Sequence, residues 1–427
     1  MYQTEDYYLM HKDIKVAKFS MTDFGTAVKV IEIYNKEHMP YGTHVEERKL
    51  NEKFTEWKND RRIPADRPYT MQIYKKTKKT IPELETLNMG VSMSDCYWYK
   101  PVDSDFTWDK VNFYDNEAPT EIGKMLLNTN IDTPSKLSSP DITLTGECPK
   151  MWSKFGGRTY LIKGCRVFAD TKAEICNEVF ASILAERLGI NTVQYYLMRS
   201  GEHVDFCCTE DFIKNDSLEF VSFKQISNDT ETLGINGVLN FMKENDMQDY
   251  LNKLIVLDFL IGNYNRTLAD IGILVNSDTM EYVKPAPLFD YEESLDYNIE
   301  DSDIGGPFND SAEGQIKMVS DFTWINFEAI KSIIPEIDRI YSIGGFKSAE
   351  INQIKSYFKN RINMLRRLIP AEQLKLTEKI KLVPKKKEEK PEKEEEKTIK
   401  IHIYDVPETE SIEETSETDN VNSETDD

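Results

Sequence analysis

The segment GNYNRTLAD (Gly262–Asp270), followed by IGILV (Ile271–Val275), MEYVKPAPLF (Met280–Phe289) and Asp290, decides how this chain is read. An apolar-faced helix over Asp249 to Leu260 runs into the polar segment. The two apolar runs beyond it, separated by turn-forming residues from Asn276 to Thr279, predict an antiparallel hairpin. Such pairing brings the start of the first strand, at Asp270, close to the end of the second, at Asp290. Two oxygen-ligand side chains converge there. Aspartates also terminate strands at hairpins for turn chemistry alone, so the convergence needs other residues before it means a site.

Those residues lie upstream. TYLIKG (Thr159–Gly164) reads as a strand carrying Lys163, and Lys172 to Leu188 reads as a helix with Ile175, Val179, Ile183 and Leu184 or Leu188 on one stripe, closing at Gly189. Phosphoryl transfer needs a cation on the phosphates, an acid that holds this cation, Mg²⁺ ligands, and a group orienting the nucleophile, because catalysis is mostly positioning and charge stabilisation. Lys163 followed by Glu178 on the next helix has the order and spacing of the strand lysine and helix glutamate of kinase folds, with Glu174 a competing candidate. Further on, Thr192 to Arg199 and Val204 to Thr209 predict a hairpin, and the remainder to Leu254 reads as largely helical. Asn326 to Ile369 is helical, with Ile351, Ile354, Phe358, Ile362 and Leu365 on one face.

The two ends differ from this middle. Residues 1 to about 120 suggest a small, mostly irregular α+β module with strand-like runs at Ile14 to Phe19 and Ala27 to Ile33, and a boundary falls in the turn-rich stretch from Leu126 to Pro140. From Pro384 the chain is too poor in apolar residues to fold and reads as disordered, although IKIHIYDV (Ile399–Val406) has the pattern of a strand that forms when bound. The 427 residues carry a net charge of −22, of which residues 401–427 supply ten acids and no Lys or Arg, leaving −12 for the rest (−22 + 10). That balance argues against a protein that grips nucleic acid or anionic lipid over its whole surface. The acidic, tyrosine-rich start does not resemble a secretory signal, and the longest apolar run, Leu254 to Gly262, is half a membrane span, so a cytoplasmic location is expected. Six cysteines without C-x-x-C spacing and five scattered histidines support neither a zinc site nor a disulfide framework.

Several ordered segments together resemble the HipA-like kinases, a bacterial branch of the protein-kinase-like fold. In that family a G-N-x-D-R-H-x-x-N loop follows an apolar helix, then comes a hairpin, then an F-D element that supplies a metal ligand; here the text is GNYNRTLAD and LFDYEESL. EICNEVFASILAERLGINTVQYYL is similar to the segment with the helix glutamate. LTGECPKMW followed by YLIKG resembles the phosphate-covering loop and strand lysine, and MHKDIKVAKF, GVSMSDCYWYKP and VNFYDNEAP resemble the entry module. The resemblance covers nearly the whole chain before the tail. It implies an α+β, two-lobed protein-kinase-like fold: an accessory module over 1–125, an N-lobe-like subdomain over 140–225, a helical C-lobe-like subdomain over 226–378, and a disordered acidic tail over 384–427.

Carried over by position, Lys163 would contact the phosphates of ATP, Glu178 would anchor that lysine, and Asp290 would bind Mg²⁺. The loop departs from the pattern. Asn265 stands where the family has its catalytic aspartate, Thr267 where it has histidine, and Asp270 where it has the metal-binding asparagine. An amide can orient a hydroxyl but cannot take its proton, whereas Asp270 is a stronger Mg²⁺ ligand than an amide and a substitute base. The resemblance therefore implies an ATP-dependent Ser/Thr protein kinase, slow or self-phosphorylating, with Asn265, Asp270 and Asp290 as catalytic candidates and Asp270 and Asp290 as the metal pair. The rival expectation is a nucleotide-binding pseudokinase acting as a regulator or scaffold; transfer of AMP is a third. A protein substrate, the chain itself among the candidates, and a small antitoxin-like partner are the partners implied, with neither direct nucleic-acid binding nor membrane association expected.

Overall fold

The computed structural model describes residues 4–22, 25, 28–130, 132–166, 172–229, 234–309, 311–379 and 403–405. The chain opens with strands β1 (Thr4–His11), β2 (Ile14–Thr22) and β3 (Val28–Ile33), continues through helices α1 (Glu47–Asn59), α2 (Thr70–Thr77) and α3 (Ile81–Leu87), and returns to β4 (Tyr97–Pro101). The four strands form one antiparallel sheet in the order β3-β2-β1-β4. Val16, Phe19 and Met21 of β2 are buried in one cluster, in which the Phe19 ring packs against Phe54 of α1 and Tyr99 of β4. This module is far more regular than its sequence suggests. The reason is non-local, since β4 pairs with β1 across some ninety residues, from Leu9 to Tyr99, and alternation within one segment carries no trace of such a partner.

Two short helices, α4 (Trp108–Val111) and α5 (Glu121–Leu126), lead to a second sheet. Strands β5 (Lys150–Phe155) and β6 (Arg158–Gly164) form a hairpin whose two turn residues, Gly156 and Gly157, have φ of +58° and +74°, the left-handed geometry that a two-residue hairpin turn requires. Helix α6 (Ala173–Arg187) follows, then β7 (Tyr195–Ser200) and β8 (His203–Glu210). The stripe expected on α6 is wider than the pattern indicates: every residue from Glu174 to Ala185 is buried. The helix is wedged between this sheet and the helices of the C-terminal half, so it has no solvent face to show as periodicity.

The C-terminal half begins with β9 (Leu218–Ser222), α7 (Phe223–Asp229), α8 (Ile235–Glu244) and α9 (Gln248–Ile261), followed by the hairpin β10 (Gly272–Asn276) and β11 (Tyr282–Pro285). The hairpin is where the sequence predicts it. β9 was not expected, because this stretch reads as helical. It pairs with β10, Gly272 opposite Ser222 through Asn276 opposite Leu218, and so extends the hairpin into a three-stranded sheet. Helices α10 (Ala312–Ile316), α11 (Phe327–Ser332), α12 (Ile334–Ile343), α13 (Ser348–Leu368) and α14 (Ala371–Lys379) complete the lobe around one large core shared with α6. The arrangement is thus α+β, with an N-terminal module and two lobes.

Most of the tail expected to be disordered, 384–427, lies outside the described residues. Within IKIHIYDV, where a strand formed on binding is expected, Ile403–Asp405 forms a strand, β12, at the edge of the second sheet, whose order is β12-β7-β8-β6-β5. The alternating β-branched run around it favours pairing where the charged flanks do not. Among the described residues, no helix is long and apolar enough to cross a membrane.

Candidate active site

Strand β6 delivers Lys163 to the interior, where its side chain is only 4% exposed. Three carboxylates converge on it: Glu178 from α6, Asp290 at 2.5 Å and Glu292 at 2.6 Å. Burial alone would lower the lysine pKa, but the charges of Asp290, Glu178 and Glu292 reverse this and hold it well above its ordinary value. Glu174, the competing candidate, is engaged elsewhere, since it pairs with Arg166 at 2.5 Å. Glu178 is therefore the helix partner of Lys163. Its second oxygen accepts from the Tyr291 amide at 2.8 Å, and neighbouring Asn177 donates to the carbonyls of Glu292 at 2.8 Å and Ser294 at 2.7 Å. One turn of α6 thus grips the segment that carries Asp290.

Asp290 itself has φ of +67°, a left-handed conformation unusual for a residue other than glycine and the kind of local strain that surrounding contacts must hold in place. Burial opposes its ionisation, but the Lys163 ammonium holds its carboxyl well below the usual range. Asp270 and Asp290 line the same cavity of 480 Å³, as the hairpin geometry requires. Burial, aided by the charge of Asp290 and opposed by Arg266, pushes Asp270 up to about 6. One Asp270 oxygen is occupied within its own loop, accepting from the Thr267 amide at 2.8 Å and hydroxyl at 2.7 Å. The carboxylate oxygens that lie within 4.8 Å of one another belong instead to Glu178, Asp290 and Glu292.

Asn265 is placed differently. It is exposed and does not line the cavity, and its backbone N–H donates to Asn263 Oδ1 at 3.2 Å. The next residue, Arg266, is buried and makes two 3.0 Å bonds to Asp258 while also donating to the carbonyl of Phe289. The loop is thereby tied to the residue immediately before Asp290.

Several contributors were not singled out from the sequence. Lys150 lies directly opposite Lys163 in the β5–β6 register and is also buried, so two lysines share one face of the sheet at a position where like charges destabilise unless anions answer them. Glu292 belongs to the acidic run DYEE after Phe289, and the run itself was the available signal. The loop ahead of β5 turns at Gly146, φ +89°, where an added Cβ would sit 2.3 Å from Lys150 Nζ; Arg67 of the N-terminal module donates to the Leu144 and Gly146 carbonyls at 2.6 and 2.8 Å. Where β8 leaves the sheet, Thr209 Oγ1 and Asp211 Oδ2 are buried without hydrogen-bond partners among the described residues and belong to residues lining the cavity, beside Val193, Phe212 and Phe289.

These features fit a magnesium–nucleotide pair. The all-oxygen donor set suits a hard divalent cation, the two lysines suit phosphates, and the apolar slot with nearby unsatisfied polar atoms suits a base.

No family model matches the chain, and no curated protein matches it. Among solved structures, the chain is similar to the Helicobacter pylori proinflammatory kinase CtkA, with 16% identity and a TM-score of 0.40 over 55% of this chain and 95% of that one. It is also similar to a chain of the Shewanella oneidensis MR-1 toxin–antitoxin complex of HipA, HipB and operator DNA, with 11% identity and a TM-score of 0.45 over 88% of this chain and 95% of that one.

Proposed function

We propose that this protein is a HipA-like phosphotransferase that binds ATP with Mg²⁺ and transfers phosphate to a Ser or Thr hydroxyl of a protein, itself included. One observation carries the reading: a buried lysine on a strand, held by a helix glutamate and by the aspartate that follows a hairpin, inside a cavity of nucleotide size. In this reading Lys163 and Lys150 bind phosphate oxygens, and Glu178 positions Lys163. Asp290 and Asp270 hold the metal, with Glu292 within reach of the same place. Bound Mg²⁺ would neutralise phosphate charge and fix the geometry of transfer. Arg266 acts at a distance, by fixing the backbone of Phe289 next to Asp290.

The exposed amide of Asn265 motivates a second reading, a nucleotide-binding pseudokinase that works through partners. Loss of a general base costs roughly 10²- to 10⁴-fold, which leaves a slow kinase chemically reasonable. Asp270, inside the cavity and part-protonated near pH 6, is the group available as substitute base. Cytoplasmic location and a small antitoxin-like partner belong to the same proposal; co-purification from the native host tests the partner.

The deciding experiment incubates purified protein with γ-labelled ATP and Mg²⁺, with and without a generic protein acceptor, beside Asp290→Ala and Asn265→Asp. Label lost in Asp290→Ala supports the kinase. Absence of label in the native protein, with ATP-induced thermal stabilisation and activity gained by Asn265→Asp, supports the pseudokinase, and mass spectrometry of any product separates phosphate from AMP transfer.

A further inference from the structure

The β7 edge of the second sheet is covered by a strand from far along the chain. β12 pairs with β7 in parallel, Ile403 opposite Leu197, Tyr404 opposite Met198 and Asp405 opposite Arg199. On its other side β7 is paired with β8 along its whole length, from Tyr195 opposite Thr209 to Ser200 opposite His203. Without β12, β7 would therefore be an edge strand presenting a row of unpaired backbone groups, which is a template for any extended peptide. The run IKIHIYDV alternates isoleucine with larger polar residues, the period-two pattern of a strand, while the sequence on either side is dominated by Lys, Glu and Asp. Residues 380–402, a connection of 23 (402 − 380 + 1), join α14 to β12.

We propose that the β7 edge is a peptide-docking site whose resident occupant is this chain's own β12 strand, held in cis, and that this cis pairing competes with an extended peptide of the same pattern offered in trans. The pairing is parallel, which is slightly less stable per residue than an antiparallel ladder, and each hydrogen bond gains little net against the entropy of fixing its residues, so the contact is exchangeable. Its occupancy comes from tethering. A strand of the same chain is presented at an effective concentration that a peptide offered in trans has to match. The edge also communicates with the cavity. β7 begins at Tyr195, whose hydroxyl accepts from the Asp290 amide at 3.4 Å and whose ring centroid lies 5.8 Å from Lys163 Nζ. Pairing along β7 thus steadies the strand whose first residue lies against the Asp290 backbone and the Lys163 ammonium.

The test uses the full chain and its Tyr404→Pro variant, which removes a strand amide and disfavours pairing. Backbone amide exchange over residues 195–200 should be about tenfold faster in the variant. A labelled peptide of sequence TIKIHIYDVPE, matching residues 398–408, should bind the variant about tenfold more tightly than it binds the native chain. Equal exchange in the two proteins, or equal peptide affinity, would overturn the proposal. Protection that rises with protein concentration would overturn it in another way, by assigning the strand to a second copy.

Discussion

The buried pair of Arg266 and Asp258 offers a test of how the site is held together. Both side chains are at most 10% exposed, and the guanidinium makes its two 3.0 Å bonds to Asp258 while also holding the carbonyl of Phe289. In Arg266→Met the Asp258 carboxylate keeps the 3.2 Å bond from Asn263 Nδ2, and in Asp258→Leu the guanidinium keeps the Phe289 carbonyl and its place over the Tyr291 ring but loses its ion pair. An uncompensated buried charge of this kind costs about 3–5 kcal/mol, so each single variant should lower unfolding stability by that amount. The double variant Asp258→Leu/Arg266→Met leaves neither charge stranded and should cost less than either single change. The assay is urea unfolding of all four proteins, followed by a second measurement of ATP-induced thermal stabilisation. The double variant should regain stability yet respond poorly to ATP, because the tie from the loop to Phe289, and so to Asp290, is gone. Two single costs that simply add in the double variant would refute the reasoning, and a full ATP response would refute the positioning role.

Three further outcomes follow from the same contacts. Burial pushes Asp141 up to about 7, against the bonds it receives from the Trp152 amide and the Ser139 hydroxyl. Between pH 4 and pH 7 the folded state therefore keeps a proton that the unfolded chain has released, so stability should fall as pH rises through that window, by up to about 4 kcal/mol, and Asp141→Asn should flatten the profile of urea midpoints. Lys163→Met strands Glu178, Asp290 and Glu292 together; it should cost about 3–5 kcal/mol, with part of the loss recovered by millimolar Mg²⁺ in a thermal melt. Gly146→Ala places a methyl against Lys150 at a left-handed position and should weaken ATP-induced stabilisation while leaving the unfolding free energy of the nucleotide-free protein, from urea titration, within about 1 kcal/mol of native.

What the sequence made legible, and what it hid, divides along the line between local pattern and tertiary register. Lys163, Glu178, Asp270 and Asp290 could be assigned to their elements because each sits at the end of a strand, a helix face or a hairpin whose period is visible within about fifteen residues. Lys150 could not be paired with Lys163 from pattern alone, since their apposition depends on the length and register of the Gly156–Gly157 turn. Glu292 escaped because nothing in the run DYEE distinguishes the glutamate that turns to Lys163 from its neighbour. β9 escaped because a five-residue run without a neighbouring partner is ambiguous, its partner β10 lying some fifty residues further on. Glu174 and Glu178 were indistinguishable by spacing and were separated only by Arg166, which takes Glu174 out of contention. Asn265 occupies the place of a catalytic residue in the motif, yet the folded loop turns it outward and sends Arg266 inward.

The charges around the cavity lead to a last test, of the order in which ligands bind. Of the groups given a role in the proposed site, Glu178, Asp270, Asp290 and Glu292 contribute four negative charges when ionised, and Lys150 and Lys163 two positive ones, which leaves this set with a deficit of two (2 − 4). ATP alone would deepen that deficit and would have to displace Asp290 and Glu292 from Lys163 with nothing to receive them. Mg²⁺ changes both terms, since it offsets the phosphate charge and offers the released carboxylates a hard cation to bind. On the proposed reading, ATP in excess EDTA should leave the melting temperature unchanged, whereas ATP with Mg²⁺ should raise it by the several degrees expected of roughly 2–3 kcal/mol of ligand stabilisation. Glu292→Gln reduces the deficit to one while keeping the side chain's shape, so ATP binding in this variant should lose part of its dependence on Mg²⁺. Equal stabilisation by ATP with and without the metal would show that the carboxylates around Lys163 serve the fold alone, and the two-lysine sheet would then need its anions for stability rather than for exchange.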